Sequence, residues 1–239
     1  MQMSENEVQA KGDFLLTAIR KAAIAPEEVQ RIVHTMKKNY RAQHPAITDK
    51  KLQDAVAKSI VDKYTWLASI SGGATALPSV IPGVGTVLAV GGGATADIVI
   101  CMKLQVDMCM CLAQNYDYDI TSADGQNLAF LIAGCGALGQ SAAKGTSNIA
   151  SKAGVKMIHQ YLKGAVLQTI KEIFKKVGIT FTRKALEKAI PFGIGVLVGA
   201  GANYALSLYI GKQAIKWFQL DREDNHNRSR NRESAEKNF

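Results

Sequence analysis

The sequence lacks the groupings of residues that enzyme chemistry requires. Its four histidines (His34, His44, His159 and His226) are scattered, and no H-E-x-x-H string, serine–histidine–acid set or catalytic carboxylate pair accompanies them. Cysteine is as sparse: Cys101, Cys109, Cys111 and Cys135 lie in apolar surroundings. Cys109-x-Cys111 fits neither a zinc site nor a thioredoxin motif, so free thiols in a reducing compartment are expected, with no metal and no other cofactor. No signal peptide is expected either. Met1 to Ile24 carries acids where a leader has positive charge, and it has no long apolar region. With 47% hydrophobic residues and a mean hydropathy of −0.00, the chain has too little apolar content for repeated passage through a bilayer. Any case for a membrane has to come from how the residues are distributed.

That distribution is uneven. The net charge is +9, yet Tyr64 to Ala96 holds no charged residue. Residues 64–143 hold only Lys103 against Asp97, Asp107, Asp117, Asp119 and Asp124, whereas 144–188 hold ten Lys/Arg against Glu172 and Glu187. A basic block of this kind attracts nucleic acid or anionic lipid equally well. The apolar segments on either side favour lipid, and no nucleic-acid partner is expected. The positive-inside rule puts 144–188 on the cytoplasmic side of a membrane.

Helical periodicity dominates the chain. Residues 1–12 read as frayed, Asp13 caps a short helix to about Ala23, and Pro26-Glu27-Glu28 starts another that stops before His44-Pro45. Thr48-Asp49 opens a third, with Leu52, Ala55, Val56, Ile60 and Tyr64 at helical spacing. The uncharged stretch that follows is long enough to span a bilayer, but Pro78, Pro82, Gly83 and Gly85 interrupt it. Two helical arms bent at Pro78 to Gly85, a re-entrant or buried hairpin, are predicted there. A helix from about Ala94 to Asn115 comes next, with Asp97, Lys103, Gln105 and Asp107 among apolar neighbours. Lys103 and Asp107 are four apart and can pair along it. In water they form a solvated stripe; in lipid they must face a cavity or a partner.

Residues 125–143 and 189–211 are again uncharged, the second with Gly195-x-x-x-Gly199 as a helix-contact face. Between them, Asn148 to Val177 reads as one amphipathic helix, with Lys156, Lys163, Lys171 and Lys175 opposite its apolar face. That face suits an anionic membrane surface or a partner groove, and equally a solvated side of a core-packing helix. Trp66 and Trp217 flank the apolar segments, as interfacial tryptophans do, and fit a core position equally well. Residues 219–239 have almost no apolar residue and are predicted to be a disordered tail.

Gly134-x-Gly136-x-x-Gly139 is the most enzyme-like string. A dinucleotide site needs a strand before it and a second strand ending in an acid about 20 residues on, and downstream no strand is expected and no acid occurs until Glu172. Read as a P-loop, the string has Gln140 where the phosphate-binding lysine belongs. Helix packing is the expectation.

One segment carries a family resemblance. Leu77-Pro78, Ile81-Pro82-Gly83-Val84-Gly85, Ala96-Asp97, Leu104-Gln105 and Leu112-Ala113-x-x-Tyr116-x-Tyr118-Asp119 resemble the EcsC family and the helical domain at the membrane end of YcjF-type proteins. Asp117 stands where the family's loop has glycine. The resemblance implies a bacterial, helical, membrane-associated protein without known catalytic residues, and makes Asp97, Gln105 and Tyr116 signature positions. The expected fold is thus an all-α helical bundle with glycine-rich apolar hairpins: N-terminal helices over 1–47, an EcsC-like domain over 48–218, then the tail. The expected function is a non-catalytic accessory or interaction role at a membrane. The partners would be anionic membrane lipid and a second copy or another membrane protein. A pore-forming effector or toxin, soluble before insertion, is the alternative.

Overall fold

A computed structural model describes residues 5–70, 94–141, 148–187 and 200–236. Eight helices make up the described structure: α1 (Glu5–Ala22), α2 (Pro26–Gln43), α3 (Asp49–Ile70), α4 (Ala94–Asn115), α5 (Ala123–Ser141), α6 (Lys152–Lys163), α7 (Val166–Glu187) and α8 (Ala200–Glu236). The fold is an all-α bundle. Proline at the start of α2, with Glu27 and Glu28 in its first turn, fixes where that helix begins. Ser151 caps α6 by accepting the Gly154 N–H at 3.0 Å. A Cβ on Gly154 would stand 2.5 Å from the Ile149 carbonyl oxygen, so that capping turn needs glycine.

Three boundaries differ from expectation. The first helix begins at Glu5, so backbone order reaches well before Asp13. The amphipathic stretch 148–177 is two helices, because Gly164 leaves helical geometry (φ −95°, ψ −150°) and ends α6. Its lysines are divided accordingly: Lys156 and Lys163 are exposed on α6, while Lys171 and Lys175 are half-buried on α7. Residues 219–236, predicted as disordered tail, continue α8. Asp221 anchors the first turns of that stretch: its side chain is buried and meets the loop after α4, α6 and Asn225 one turn on, as described below.

The core is built around α4, which packs against α1, α2, α3, α5, α7 and α8. Every residue from Val99 to Ala113 is buried, so this helix is enclosed on all sides. The solvated stripe anticipated for Lys103, Gln105 and Asp107 is therefore absent. Ile98–Asn115 is long and apolar enough to cross a membrane, with mean hydropathy 1.2, but 89% of it lies inside the bundle. A core helix meets those criteria too.

Cross-helix contacts set the directions. Arg222 bonds Gln53, and a Cβ on Gly211 would lie 2.7 Å from Val61, so α3 and α8 run antiparallel. Gln105 meets Ser207 and, farther along both helices, Met108 meets Gly211, so α4 runs parallel to α8. The last residue of α3, the first of α4 and the first of α8 consequently share one end of the molecule. Trp66, 57% exposed, and Tyr204, 47% exposed, lie toward that end. The hairpin turn at Pro78, Pro82, Gly83 and Gly85, the Gly195–Gly199 face and the Asp97 side chain lie outside the described residues.

Candidate functional site

The polar groups of α4 form a buried seam. Lys103 and Asp107, one turn apart, make an ion pair with side chains 1% and 3% exposed. The other Asp107 oxygen accepts the Ile24 backbone N–H at 3.0 Å, tying α4 to the α1–α2 connection. Burial pushes the Asp107 carboxyl above the usual carboxylate range, against the opposing pull of Lys103. Gln105, on another side of the helix, donates to Ser207 Oγ at 2.6 Å and links α4 to α8. Its carbonyl oxygen has no partner among the described residues.

The end of α4 is equally connected. Asn115 donates to the Gln53 carbonyl at 2.9 Å, and its own carbonyl accepts from Gln53 at 2.7 Å and Lys37 at 3.1 Å. Tyr116 is buried and stacks on Phe218, ring centroids 5.4 Å apart and 11° from parallel, with burial pushing its phenol up to about 12. Asp117 adopts φ 68°, the left-handed conformation that glycine takes most readily. Its carboxylate lies 3.4 Å from Lys37 and 3.7 Å from Arg222, so local hydrogen-bond and charge partners surround the strained residue.

A second cluster was not legible in the sequence. Asp221, 2% exposed, receives Tyr118 OH, His159 Nε2 at 2.5 Å and Asn225 Nδ2 at 3.1 Å. Burial works to raise the Asp221 carboxyl, but the His159 and Tyr118 hydrogen bonds outweigh it and hold the group below the usual range. Trp217 packs beside both neighbours, 5.8 Å from the His159 ring and 6.2 Å from Tyr118. The cluster fastens α6, α8 and the loop after α4. No sequence spacing signals it, since Tyr118 and His159 are dozens of residues from Asp221.

The remaining candidates separate cleanly. Gly134, Gly136 and Gly139 all lie inside α5, where backbone amides are held by the helix and cannot cradle a phosphate. A Cβ on Gly134 would stand 2.5 Å from Ile173 Cγ2, so this glycine lets α7 approach. None of the four cysteines forms a disulfide; Cys101, Cys109 and Cys111 are buried. Burial pushes the Cys111 and Cys135 thiols up to about 12, which disfavours thiolate chemistry. Among the described residues no group of three His, Cys, Asp or Glu side chains is placed to hold a metal ion. No protein-family model, curated protein or solved structure matches this chain.

Proposed function

We propose that this protein is a membrane-associated helical protein of EcsC type, with an accessory or interaction role and no catalytic activity of its own. The observation that carries the reading is the position of two exposed aromatic residues, Trp66 and Tyr204. Trp66 and Tyr204 lie toward the end of the bundle from which the uncharged residues 71–93 leave and at which 188–199 arrive. Amphipathic aromatic rings favour the membrane–water boundary, and uncharged chain favours the region beyond it. The left-handed Asp117 adds to the resemblance, because it holds the backbone shape that a loop glycine would give. In this reading α4 is the core helix of a bundle standing on the bilayer. Lys156 and Lys163 are exposed on α6, whose His159 bonds Asp221 well along α8 from Tyr204, so they take no part in this contact.

Fluorescence tests the proposal directly, since Trp217 is fully buried and Trp66 is exposed. In a Trp217→Phe variant, Trp66 emission should shift to the blue on adding phosphatidylglycerol vesicles, and brominated acyl chains should quench it. An unshifted, unquenched Trp66 with the protein sedimenting free of vesicles overturns the reading.

A membrane-inserting, pore-forming effector is the second reading. The burial of 89% of Ile98–Asn115, a membrane-length apolar helix, inside a water-compatible coat favours it. Release of trapped dye from the same vesicles would select it over the first.

A further inference from the structure

Away from Trp66 and Tyr204, a cleft of about 350 Å³ opens between the α1–α2 connection, α4, α5 and the start of α7. Ile24, Met110, Phe130 and Leu167 give it apolar walls. Its volume lies within the range of small-molecule sites and has room for about a dozen water-sized groups.

Three separate features make it polar. Asn127 lines the cleft while only 7% exposed, and its side chain makes no hydrogen bond among the described residues. A buried amide of this kind requires water or a ligand as its partner. Arg20 lines the same cleft, its guanidinium 5.1 Å from the Phe130 ring centre, with no carboxylate partner among the described residues. Finally, Pro26, Ala123 and Leu167 are each within the first two residues of a helix, so the N-termini of α2, α5 and α7 converge here. Helix N-termini favour negative charge, and Ala25 brings no side-chain cap to the first of them. Glu27 and Asp124, in the first turns of α2 and α5, are exposed and offset part of this field.

We propose that the cleft binds a small monocarboxylate with a short apolar body. One guanidinium, the buried Asn127 amide and three helix ends suit a single negative charge, and the four apolar side chains suit an alkyl or aryl remainder. Phosphate fits less well, since the site offers a single cation and no glycine-rich nest of amides.

Titration calorimetry on the full chain tests it with hexanoate, hexanol and inorganic phosphate. Hexanoate should bind saturably, and hexanol and phosphate should bind at least about tenfold more weakly. Arg20→Gln, at an exposed position, should weaken hexanoate about tenfold, as should Asn127→Leu if it folds. Trp66→Ala should leave hexanoate binding unchanged, which separates this site from membrane attachment. Equal affinity for hexanol, saturation by phosphate in preference to hexanoate, or an Arg20→Gln protein that binds hexanoate normally overturns the proposal.

Discussion

Removing one member of the Lys103–Asp107 pair should be far more damaging than removing both. The two side chains are 1% and 3% exposed, so neither can be rehydrated without opening the core. Asp107→Asn keeps an oxygen for the Ile24 N–H but strands the Lys103 charge, at a cost of about 3–5 kcal/mol. For a chain of this size that corresponds to a fall in Tm of about 6–20 °C. Lys103→Met should cost less, because the carboxyl left behind, already pushed up by burial, can take a proton. A carboxyl raised in the folded state binds its proton more tightly there than in the unfolded chain. The Lys103→Met penalty is therefore absent below the unfolded value of about 3.9 and grows as pH rises to the folded one. The double variant Lys103→Met/Asp107→Asn leaves no buried charge and should return to within about 1 kcal/mol of wild type. Urea unfolding of all four proteins, followed by circular dichroism, closes the cycle. An Asp107→Asn cost below about 1 kcal/mol, the worth of a solvated pair, would refute the burial of this seam.

Other perturbations read different contacts. Gly211→Ala would place a Cβ 2.7 Å from Val61 and 3.2 Å from Met108, so the α3–α8 contact must open, at about 1–3 kcal/mol in urea unfolding. For Asp221, whose folded carboxyl is held low, stability is present above the ordinary carboxylate range and is lost as pH falls through the folded value. The difference between wild type and Asp221→Asn should accordingly shrink below about pH 4 in acid titrations of Tm. Cys109 and Cys111, buried with thiols pushed up, should react with a disulfide reagent only as fast as the protein opens.

The sequence reading succeeded where the signal was local. Pro26-Glu27-Glu28, Asp49 and the four-residue step from Lys103 to Asp107 each act within one turn of helix, and the structure starts α2 and α3 at the first two. Burial of the seam was not readable, because it comes from α1, α2, α3, α5, α7 and α8, each distant in sequence from most of α4. Composition misled at the C-terminus for the same reason. Asp221 belongs to a run of polar residues that looks unable to fold, yet Tyr118 and His159 reach it across the bundle. Gly164 was noted inside the lysine-rich periodicity, and the period alone could not show that the glycine breaks it.

The two functional readings diverge on whether α4 leaves the bundle. Inserting it into lipid would break the Asp107 bond to Ile24, the Gln105 bond to Ser207 and the Asn115 bonds to Gln53 together, since all depend on that helix. It would also separate α4 from every helix that buries Val99 to Ala113. Attachment through the Trp66 and Tyr204 end requires none of these losses. Amide hydrogen exchange on phosphatidylglycerol vesicles can tell the two apart, because α1, α2 and α3 each lose one of their packing partners only if α4 departs. A bundle that stands on the membrane keeps slow exchange in α3 around Val56 to Val61, as it does in solution. Insertion of α4 would remove one wall from those residues, leaving α3 packed on α2 and α8, and would speed their exchange above the solution rate. Vesicle-bound protein with solution-like protection in α3 therefore supports the accessory role, and fast exchange there without loss of vesicle binding would replace it with the pore-forming one.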